Sequence, residues 1–432
     1  MPKRHLWLLL AFFFFATAQS SVAEQRFIVR TNLGLQGLQD LCLFHTCTVV
    51  RNLDGTVNQL FLVTVPDFID STLFLITTRL LPGIIDAEVD QLLSITGGLA
   101  TIANAPAELL ETTPVPYYGA MVWSGYANQP AAQIVRVSDA QTHFGVTGTG
   151  IIADIDTCVD PNHPVLHPVL LPGYDFTRNQ PGGSEMNDLP AGTPVTEAPC
   201  PNCTPGRVNQ YSIAMVDQYS IAMVDGQLYA AFGHGTMVAG VLHLVAPTSS
   251  ILPLKAFRPD GTGYLSDILR AFYYAVQNHA NVINMSFDFT SPSQELVSAI
   301  SYAYQNSVTC VASAGNNGMQ MVTYPASITN VMGVASTSDL DTRSTFSNYG
   351  PEVWVAAPGE NIVTTYPFGS YSAASGTSFS APFVSGGVAL LLAHSPGIGQ
   401  NGTSQAIAHA KPLTSDLGNG RLDLYQALGS LP

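Results

Sequence analysis

Short apolar runs alternate with segments of helical spacing through most of the chain after residue 130. Apolar runs of four to eight residues are typical of buried strands, whereas apolar residues three and four positions apart are typical of helices. The pattern predicts strands at residues 150–155, 251–257, 281–287 and 308–314. Strands that alternate with helices predict an α/β domain, with a mostly parallel sheet and helices on both faces.

Two helices are predicted between these strands. Residues 264–280 have helical spacing, with Ser266 and Asp267 placed to cap the first turn. A second helix begins at Ser293 and carries an apolar face made by Leu296, Ile300, Ala303 and Tyr304. In sheets built this way, chemistry is expected beyond the carboxyl ends of the strands.

The pattern is different between residues 24 and about 115. Residues 26–30 and 60–65 are rich in β-branched and aromatic side chains and are predicted to be strands. The segments between and after them have mixed apolar spacing. This part of the chain is therefore predicted to be a small α+β module, followed by a linker around residues 113–116.

The first 23 residues are predicted to be an export signal. Lys3 and Arg4 precede an apolar run over residues 6–16, and small residues at 16–18 or 21–23 suit a signal peptidase. The run is shorter than the roughly 20 apolar residues that a membrane-spanning helix needs. An uncleaved anchor is the alternative. No later apolar stretch is long enough to span, so we expect a secreted protein, extracellular or periplasmic, with no membrane association.

The charge balance excludes several classes of partner. Charged residues make up 10% of the chain, against about 25% in a typical globular protein. The formal charge is −15, with no cluster of basic residues, which argues against nucleic-acid binding. Hydrophobic residues make up 46%, which argues against a disordered chain. The composition therefore predicts a compact, acidic, globular protein.

The chain has six cysteines, and an exported protein can pair them, but the sequence leaves the pairing open. Cys200 and Cys203 form a lone CxxC with no second pair at zinc spacing, which favours a local disulfide or free thiols over a metal site. Residues 210–217 are repeated unchanged at 218–225. So short a duplication is expected to be tolerated in a surface loop.

Four motifs at predicted strand ends or helix starts have a shared chemical meaning. Asp156 ends a strand, His234 lies in a Gly-His-Gly-Thr motif, Asn316 follows another strand, and Ser378 opens a helix. A serine hydroxyl becomes a good nucleophile when an imidazole takes its proton and a carboxylate fixes the imidazole tautomer. An asparagine amide and the N–H groups of a helix start can stabilise the oxyanion that forms.

The order Asp, His, Asn, Ser differs from that of α/β-hydrolases and of chymotrypsin-like enzymes. Across roughly residues 140–430 the sequence resembles the subtilases, the subtilisin-like serine proteases, through FGHGTMVAGVLHLVAP, VASAGNNG and GTSFSAPFVSGGVALLLA. The resemblance implies a three-layer subtilisin-like domain over residues 116–432, with an insertion at about 170–230. Asp156, His234 and Ser378 would be the catalytic triad, and Asn316 would form the oxyanion hole.

Residues 24 to about 95 resemble the inhibitory propeptide of that family, whose typical end is similar to LPGIIDAEVDQ. This implies a zymogen with a propeptide and linker over residues 24–115, in which the propeptide acts as a chaperone, caps the cleft and is cleaved off. The implied activity is that of a secreted serine endopeptidase that acts through an acyl-enzyme. Its expected partners are polypeptide substrates and its own propeptide, and the enzyme is expected to be a monomer that requires no cofactor.

Substrate binding is implied for two segments, Ser286, Phe287 and Asp288 on one side and Ser313, Ala314 and Gly315 on the other. Asp288 stands where a glycine is common in the family. It either favours a basic or polar substrate side chain or turns to solvent.

Some positions depart from the family pattern. Cys158 stands where glycine is usual, and it would be strained if that position needs a positive φ. Asp154 lies on the same face of its strand as Asp156. Either the two carboxylates raise the pKa of one of them or Asp154 is a hydrogen-bonded structural acid.

The stretch from Val241 to Pro247 is short where many subtilisins carry a calcium loop, so a structural calcium site is expected to be absent. Two alternatives to a protease remain. One is a non-catalytic subtilase-like binding protein, favoured by Cys158 and the long insertion. The other is an esterase with a similar triad, which the motif order opposes.

Overall fold

The computed structural model describes residues 24–95, 106–189 and 231–432, together with backbone strands at 215–216, 222–224 and 227–229. The predicted export signal, Cys200, Cys203 and most of the duplicated segment lie outside the described residues.

The N-terminal unit is an α+β module, as the sequence predicted. In chain order its elements are β1 (Glu24–Thr31), α1 (Gly34–His45), β2 (Thr48–Asn52), β3 (Leu60–Pro66), α2 (Ser71–Arg79) and β4 (Ile84–Val89). The strands form an antiparallel sheet in the order β2-β3-β1-β4. The unit has its own core, in which Phe27, Phe61 and Phe74 are buried between the sheet and the helices. Cys42 and Cys47, whose pairing the sequence left open, form a disulfide at the end of α1.

A second, larger region follows. The N-terminal unit ends with β5 (Leu92–Ser94), and the first elements of the larger region are β6 (Pro114–Tyr117), β7 (Ala120–Trp123), α3 (Ser124–Ala127), α4 (Pro130–Ile134), α5 (Val137–Phe144), β8 (Ile151–Asp156), β9 (Tyr174–Asp175), β10 (Gln180–Pro181), β11 (Met215–Val216), β12 (Ala222–Val224) and β13 (Gln227–Tyr229). Next come α6 (His234–Val245), β14 (Ser250–Lys255), β15 (Thr262–Tyr264), α7 (Leu265–Gln277), β16 (Val282–Met285), α8 (Gln294–Gln305) and β17 (Thr309–Ser313). The last are β18 (Val331–Thr337), β19 (Val353–Pro358), β20 (Ile362–Tyr366), β21 (Ser370–Ala374), α9 (Thr377–His394), α10 (Gly399–Ile407) and α11 (Leu424–Gly429).

The central sheet has eight strands in the order β10-β9-β14-β8-β16-β17-β18-β19. Its neighbours pair in parallel, except for the antiparallel pair β9 and β10 at one edge. Helices α6 and α9 pack on one face, where Val238 and Phe383 join the core of Ile152 and Val282. Helices α7 and α8 pack on the other face against the alternate side chains, such as Ile283. This is the three-layer α/β fold that the sequence predicted.

The predicted start of α7 needs a correction. The helix begins at Leu265, and neither Ser266 nor Asp267 caps it with its side chain. Instead, the carboxylate of Asp90 accepts hydrogen bonds from the Ser266 N–H and the Ser266 hydroxyl, each at 2.8 Å. The cap comes from the N-terminal unit, over 170 residues away in sequence. The predicted start of α8 is confirmed, since the Ser293 hydroxyl accepts a hydrogen bond from the Leu296 N–H.

Within the described residues, α9 is the one helix long and apolar enough to cross a membrane, but 83% of its apolar window is buried inside the protein. It is the central helix of the domain, and its N-terminus faces the carboxyl ends of the strands.

Candidate active site

Asp156 is the last residue of β8, at the carboxyl edge of the sheet. Its backbone carbonyl accepts hydrogen bonds from the N–H groups of Ala256 and Phe257, which fixes the strand end. Its carboxylate accepts a hydrogen bond from the Thr157 N–H at 2.6 Å. The Nδ1 atom of His234 lies 2.8 Å and 2.9 Å from the two carboxylate oxygens. The sequence predicted both residues, and the fold brings them into direct contact.

His234 is the first residue of α6, after Gly233, whose φ of 88° suits glycine. A residue outside the helix, Glu185, holds the start of α6 in place. The carboxylate of Glu185 accepts hydrogen bonds from the Gly233 N–H, at 2.7 Å, and from the Thr236 hydroxyl. Burial raises the pKa of Glu185 to about 8. Glu185 has no recognisable motif in the sequence. It lies 48 positions before Gly233, and only the fold brings the two residues together.

Ser378 is the second residue of α9 and is almost completely buried. Its hydroxyl donates a hydrogen bond to the backbone carbonyl of Ser286, at 3.1 Å. In return, the Ser286 hydroxyl donates to the backbone carbonyl of Ser378, at 2.7 Å. The next residue, Phe379, places its ring centroid 5.7 Å from that of His234, so the nucleophile candidate and the imidazole occupy one site.

Asn316 lies beyond the end of β17 and faces the start of α9. Its side-chain oxygen accepts hydrogen bonds from the N–H and the hydroxyl of Thr377, at 2.8 Å and 2.9 Å. These contacts fix the amide, whose nitrogen and oxygen lie 3.6 Å and 3.8 Å from where a Cβ atom on Gly376 would stand. An amide held at Thr377, the residue before Ser378, is a preset hydrogen-bond donor of the kind that an oxyanion hole requires.

The two segments predicted to bind substrate lie beside each other, at the carboxyl ends of β16 and β17, because these strands are neighbours in the sheet. A carboxylate oxygen of Asp288 comes within 2.7 Å of where a Cβ atom on Gly315 would stand. Asp288 is half-buried, and burial raises its pKa to about 6. The sequence left open whether Asp288 faces the substrate or solvent. In the structure its side chain lies towards Gly315, between the two segments.

A short strand from the N-terminal part of the chain, β5, also lies near the candidate active site. In β5, Leu92–Ser94 pairs antiparallel with Thr262–Tyr264 of β15, and the Ile95 N–H donates to the Gly261 carbonyl at 3.0 Å. β5 and Ile95 therefore lie along residues 261–264, which follow the Ala256 and Phe257 N–H groups bonded to the Asp156 carbonyl.

Cys158 is buried with a φ of 90°, the left-handed conformation that favours glycine. Its backbone packs against Gly235, and a Cβ atom at Gly235 would stand 2.0 Å from the Cys158 carbonyl oxygen. Burial raises the pKa of the Cys158 thiol. The thiol is therefore held in its neutral, weakly reactive form.

Asp154 is fully buried on β8 and accepts a hydrogen bond from the side-chain amide of Asn284, at 3.0 Å. Burial, and then the charge of Asp156, raise its pKa well above the ordinary range. Both alternatives stated for Asp154 thus apply together. Among residues 24–95, 106–189 and 231–432, no three His, Cys, Asp or Glu side chains cluster as a metal site.

Comparisons with known proteins agree on one family. A profile of the subtilase family matches residues 148–429. A thermophilic serine proteinase of Bacillus sp. (strain AK1) is 34% identical over 283 residues, which are 64% of this chain and 61% of that protein. Thermitase of Thermoactinomyces vulgaris is 32% identical over 291 residues, 64% of this chain and 88% of that protein. The crystal structure of a lanthipeptide protease superposes with a TM-score of 0.55 at 22% identity, covering 70% of this chain and 95% of the other, which shows a shared fold.

Proposed function

Because this chain belongs to the subtilase family, we propose that it is a serine endopeptidase, made as a secreted zymogen and active through Asp156, His234 and Ser378. The observation that carries the proposal is the pair formed by the His234 Nδ1 atom and the Asp156 carboxylate, beside the helix start that holds Ser378. The relative named above as a serine proteinase favours the same reaction class.

In the proposed mechanism, the Ser378 hydroxyl leaves the Ser286 carbonyl and turns to the Nε2 atom of His234. His234 takes the hydroxyl proton as Ser378 attacks the carbonyl carbon of the scissile peptide bond. Asp156 holds the imidazole with its proton on Nδ1 and stabilises the imidazolium that forms. His234 then gives the proton to the leaving amine, and a water molecule hydrolyses the acyl-enzyme by the same route.

The negative charge of the tetrahedral intermediate would be stabilised by the Asn316 amide and by N–H groups at the start of α9. Loss of such an amide donor in a subtilisin lowers kcat by about 10²–10³. Ser286, Phe287, Asp288, Ser313, Ala314 and Gly315 would line the pocket for the substrate side chain before the scissile bond.

The contacts of the N-terminal unit support the zymogen part of the proposal. The guanidinium of Arg30 donates to the Glu295 carboxylate on α8, at 2.8 Å. The carboxylate of Glu88 accepts from the Ser293 hydroxyl at 2.6 Å and from the Gln294 N–H at 3.1 Å. Asp90 lies at the N-terminus of α7, and Glu88 lies at the N-terminus of α8. The helix dipole favours negative charge at both places.

The position of β5 supports an inhibitory role for the unit. An added antiparallel strand is how extended peptides commonly bind a sheet edge, so β5 occupies backbone groups that a substrate would use. Cleavage on the C-terminal side of β5 would release the unit. The Cys42–Cys47 disulfide fits an oxidising compartment, in agreement with export, extracellular or periplasmic.

The test compares the full chain with its Ser378→Ala and Ser380→Ala variants. Ser380 is a buried serine on the same helix and serves as the matched control. We expect the unaltered protein and Ser380→Ala to lose the N-terminal unit and to be labelled by a fluorophosphonate. We expect Ser378→Ala to do neither. An unaltered protein that is neither processed nor labelled would instead indicate a non-catalytic subtilase-like binding protein.

A further inference from the structure

A stripe of polar side chains runs beneath the helix that carries Ser378. Asp154 and Asn284 are direct neighbours on β8 and β16, which pair in parallel. Because side chains two positions apart share a face of a strand, Asp156 and Ser286 continue the stripe towards the carboxyl edge. All four side chains are buried, with relative exposures of 0–1%. The stripe lies on the face covered by α9.

The amide of Asn284 connects the members of this stripe. Its NH2 group donates to the Asp154 carboxyl and to the Ser286 hydroxyl, each at 3.0 Å. Its oxygen accepts from the Ser385 hydroxyl at 2.8 Å. Ser385 lies seven residues after Ser378, two turns along the same face of α9. The amide is therefore held in one orientation by an acceptor on β8 and a donor on α9.

The connection ends at the nucleophile candidate. The Ser286 hydroxyl receives its hydrogen bond from Asn284 and donates its own proton to the Ser378 backbone carbonyl, at 2.7 Å. The Ser286 carbonyl in turn accepts the Ser378 hydroxyl. Asp154 is thus joined to Ser378 through the side chains of Asn284 and Ser286 and a reciprocal pair of hydrogen bonds.

Among the described residues, each charged group near Asp154 either disfavours a negative charge on Asp154 or is already paired with another group. Asp156 lies on the same strand, and Glu185 approaches from the helical turn Glu185–Asp188, within the predicted insertion. His234 on α6 is bonded to Asp156. The neighbours from β16, α9 and β14 are Asn284, Ser385 and Pro253, which carry no charge. Lys255, two positions along β14, is bonded to Asp188 at 2.8 Å. Burying an unpaired carboxylate is strongly unfavourable, whereas a neutral carboxyl still accepts the Asn284 bond.

We propose that Asp154 is a positioning residue, which as a neutral carboxylic acid orients the Asn284 amide and, through Ser286, fixes the backbone that presents Ser378. The raised pKa of Asp154 agrees with this state. Its second oxygen, Oδ2, has no hydrogen-bond partner among the described residues and is the one free to carry the proton. This inference rests on the proposed proteolytic function.

The experiment compares the full chain with Asp154→Asn and Asp154→Val. Asparagine keeps a neutral acceptor for the Asn284 amide, whereas valine leaves that N–H unpaired. We expect Asp154→Asn to retain kcat within about threefold, and Asp154→Val to lose at least about tenfold in kcat with KM nearly unchanged, since a misplacement of about 1 Å can cost about 10²-fold. Equal kcat in Asp154→Val and the unaltered protein would overturn the positioning role.

The pH profile tests the neutral state of Asp154. Because asparagine is also neutral, the midpoint of the acid limb of kcat/KM should be the same in Asp154→Asn and the unaltered protein. A carboxylate would stabilise the protonated His234, so its removal would move that midpoint down by about one pH unit or more. Such a shift would overturn the proposal.

Ser385→Ala keeps the inference testable if Asp154→Val does not fold. This variant removes the other hydrogen bond that orients Asn284, and we expect roughly threefold lower kcat with unchanged KM. An unchanged kcat in Ser385→Ala would then overturn the positioning role. Fluorophosphonate labelling distinguishes a failure of the proposed protease function from a failure of the positioning role of Asp154. Absence of labelling in the unaltered protein contradicts the protease function itself, whereas equal labelling rates in all variants contradict only the inference.

Discussion

The Nδ1 atom of His234 lies 2.8 Å from a carboxylate oxygen of Asp156, and both side chains are shielded from solvent. A buried carboxylate in this position fixes which imidazole nitrogen carries the proton and leaves the other free to act as a base. The two residues are 78 positions apart, and the contact depends on the meeting of the end of β8 with the start of α6.

Replacement of this carboxylate should remove most of the activity without unfolding the domain. In Asp156→Asn the amide favours the wrong imidazole tautomer, and we expect kcat to fall by about 10⁴. Steady-state hydrolysis of a peptide substrate measures the loss, with Asp139→Asn, an exposed carboxylate, as the control. Activity close to that of the unaltered protein would contradict the assignment of Asp156.

Dissociation of the processed N-terminal unit should depend on pH through Glu88. Burial in the interface raises the pKa of Glu88 to about 7 from its ordinary value of 4.5. A raised pKa in the bound state means that binding takes up a proton. This contribution is therefore complete below about pH 4.5 and is lost as pH rises through 7. Burial also raises the pKa of Asp90 in the same direction.

We expect the processed complex to be weaker at pH 8 than at pH 5 by more than about tenfold. The recovery of activity after processing, followed at several pH values, measures this difference. Glu88→Gln removes the titrating group and should flatten the dependence, apart from the part due to Asp90. Tighter binding at pH 8 than at pH 5 is the result that would refute the linkage.

Asp288 should favour substrates with a basic residue immediately before the scissile bond. Its carboxylate lies beside Gly315, between the two segments proposed to form the specificity pocket. The charge requires a pH above about 6, the value to which burial raises its pKa. Peptides that differ only in Arg, Leu or Phe at that position measure the preference.

We expect the ratio of kcat/KM for Arg over Leu peptides to fall roughly tenfold in Asp288→Asn, which keeps the shape and removes the charge. Asp288→Gly should lose the preference as well. The same ratio in all three proteins would show that Asp288 does not select the substrate.

Cys158 should be a strained position that glycine relieves. Its φ of 90° disfavours residues with a Cβ atom. A comparison of Cys158→Gly with Cys158→Ala isolates this effect, because both variants lack the thiol and only alanine retains the Cβ. We expect the glycine variant to be more stable by about 1–2 kcal/mol. Thermal unfolding of the two variants measures the difference, and a more stable alanine variant would argue against backbone strain.

The sequence by itself determined the fold class and the family. Strands and helices of the central domain alternate in their apolar periodicity, and buried strands such as β8 and β17 are visible as short apolar runs. The chemistry of Asp156, His234, Asn316 and Ser378 is carried by residue types in local motifs, so their candidacy needs no three-dimensional information. The cap of α8 by Ser293 was equally visible, because a capping residue and its helix are adjacent in sequence.

Only the tertiary structure decided which distant groups meet. Asp90 caps α7, Glu185 holds the start of α6, and Asp154 joins Asn284 and Ser286 beneath Ser378. None of these contacts leaves a local pattern, because a buried polar group must be satisfied by whatever donor or acceptor the packing brings near it. For the same reason, the hydrogen-bond partner of Asp154 depends on the register of β8 with β16, which strand periodicity does not specify.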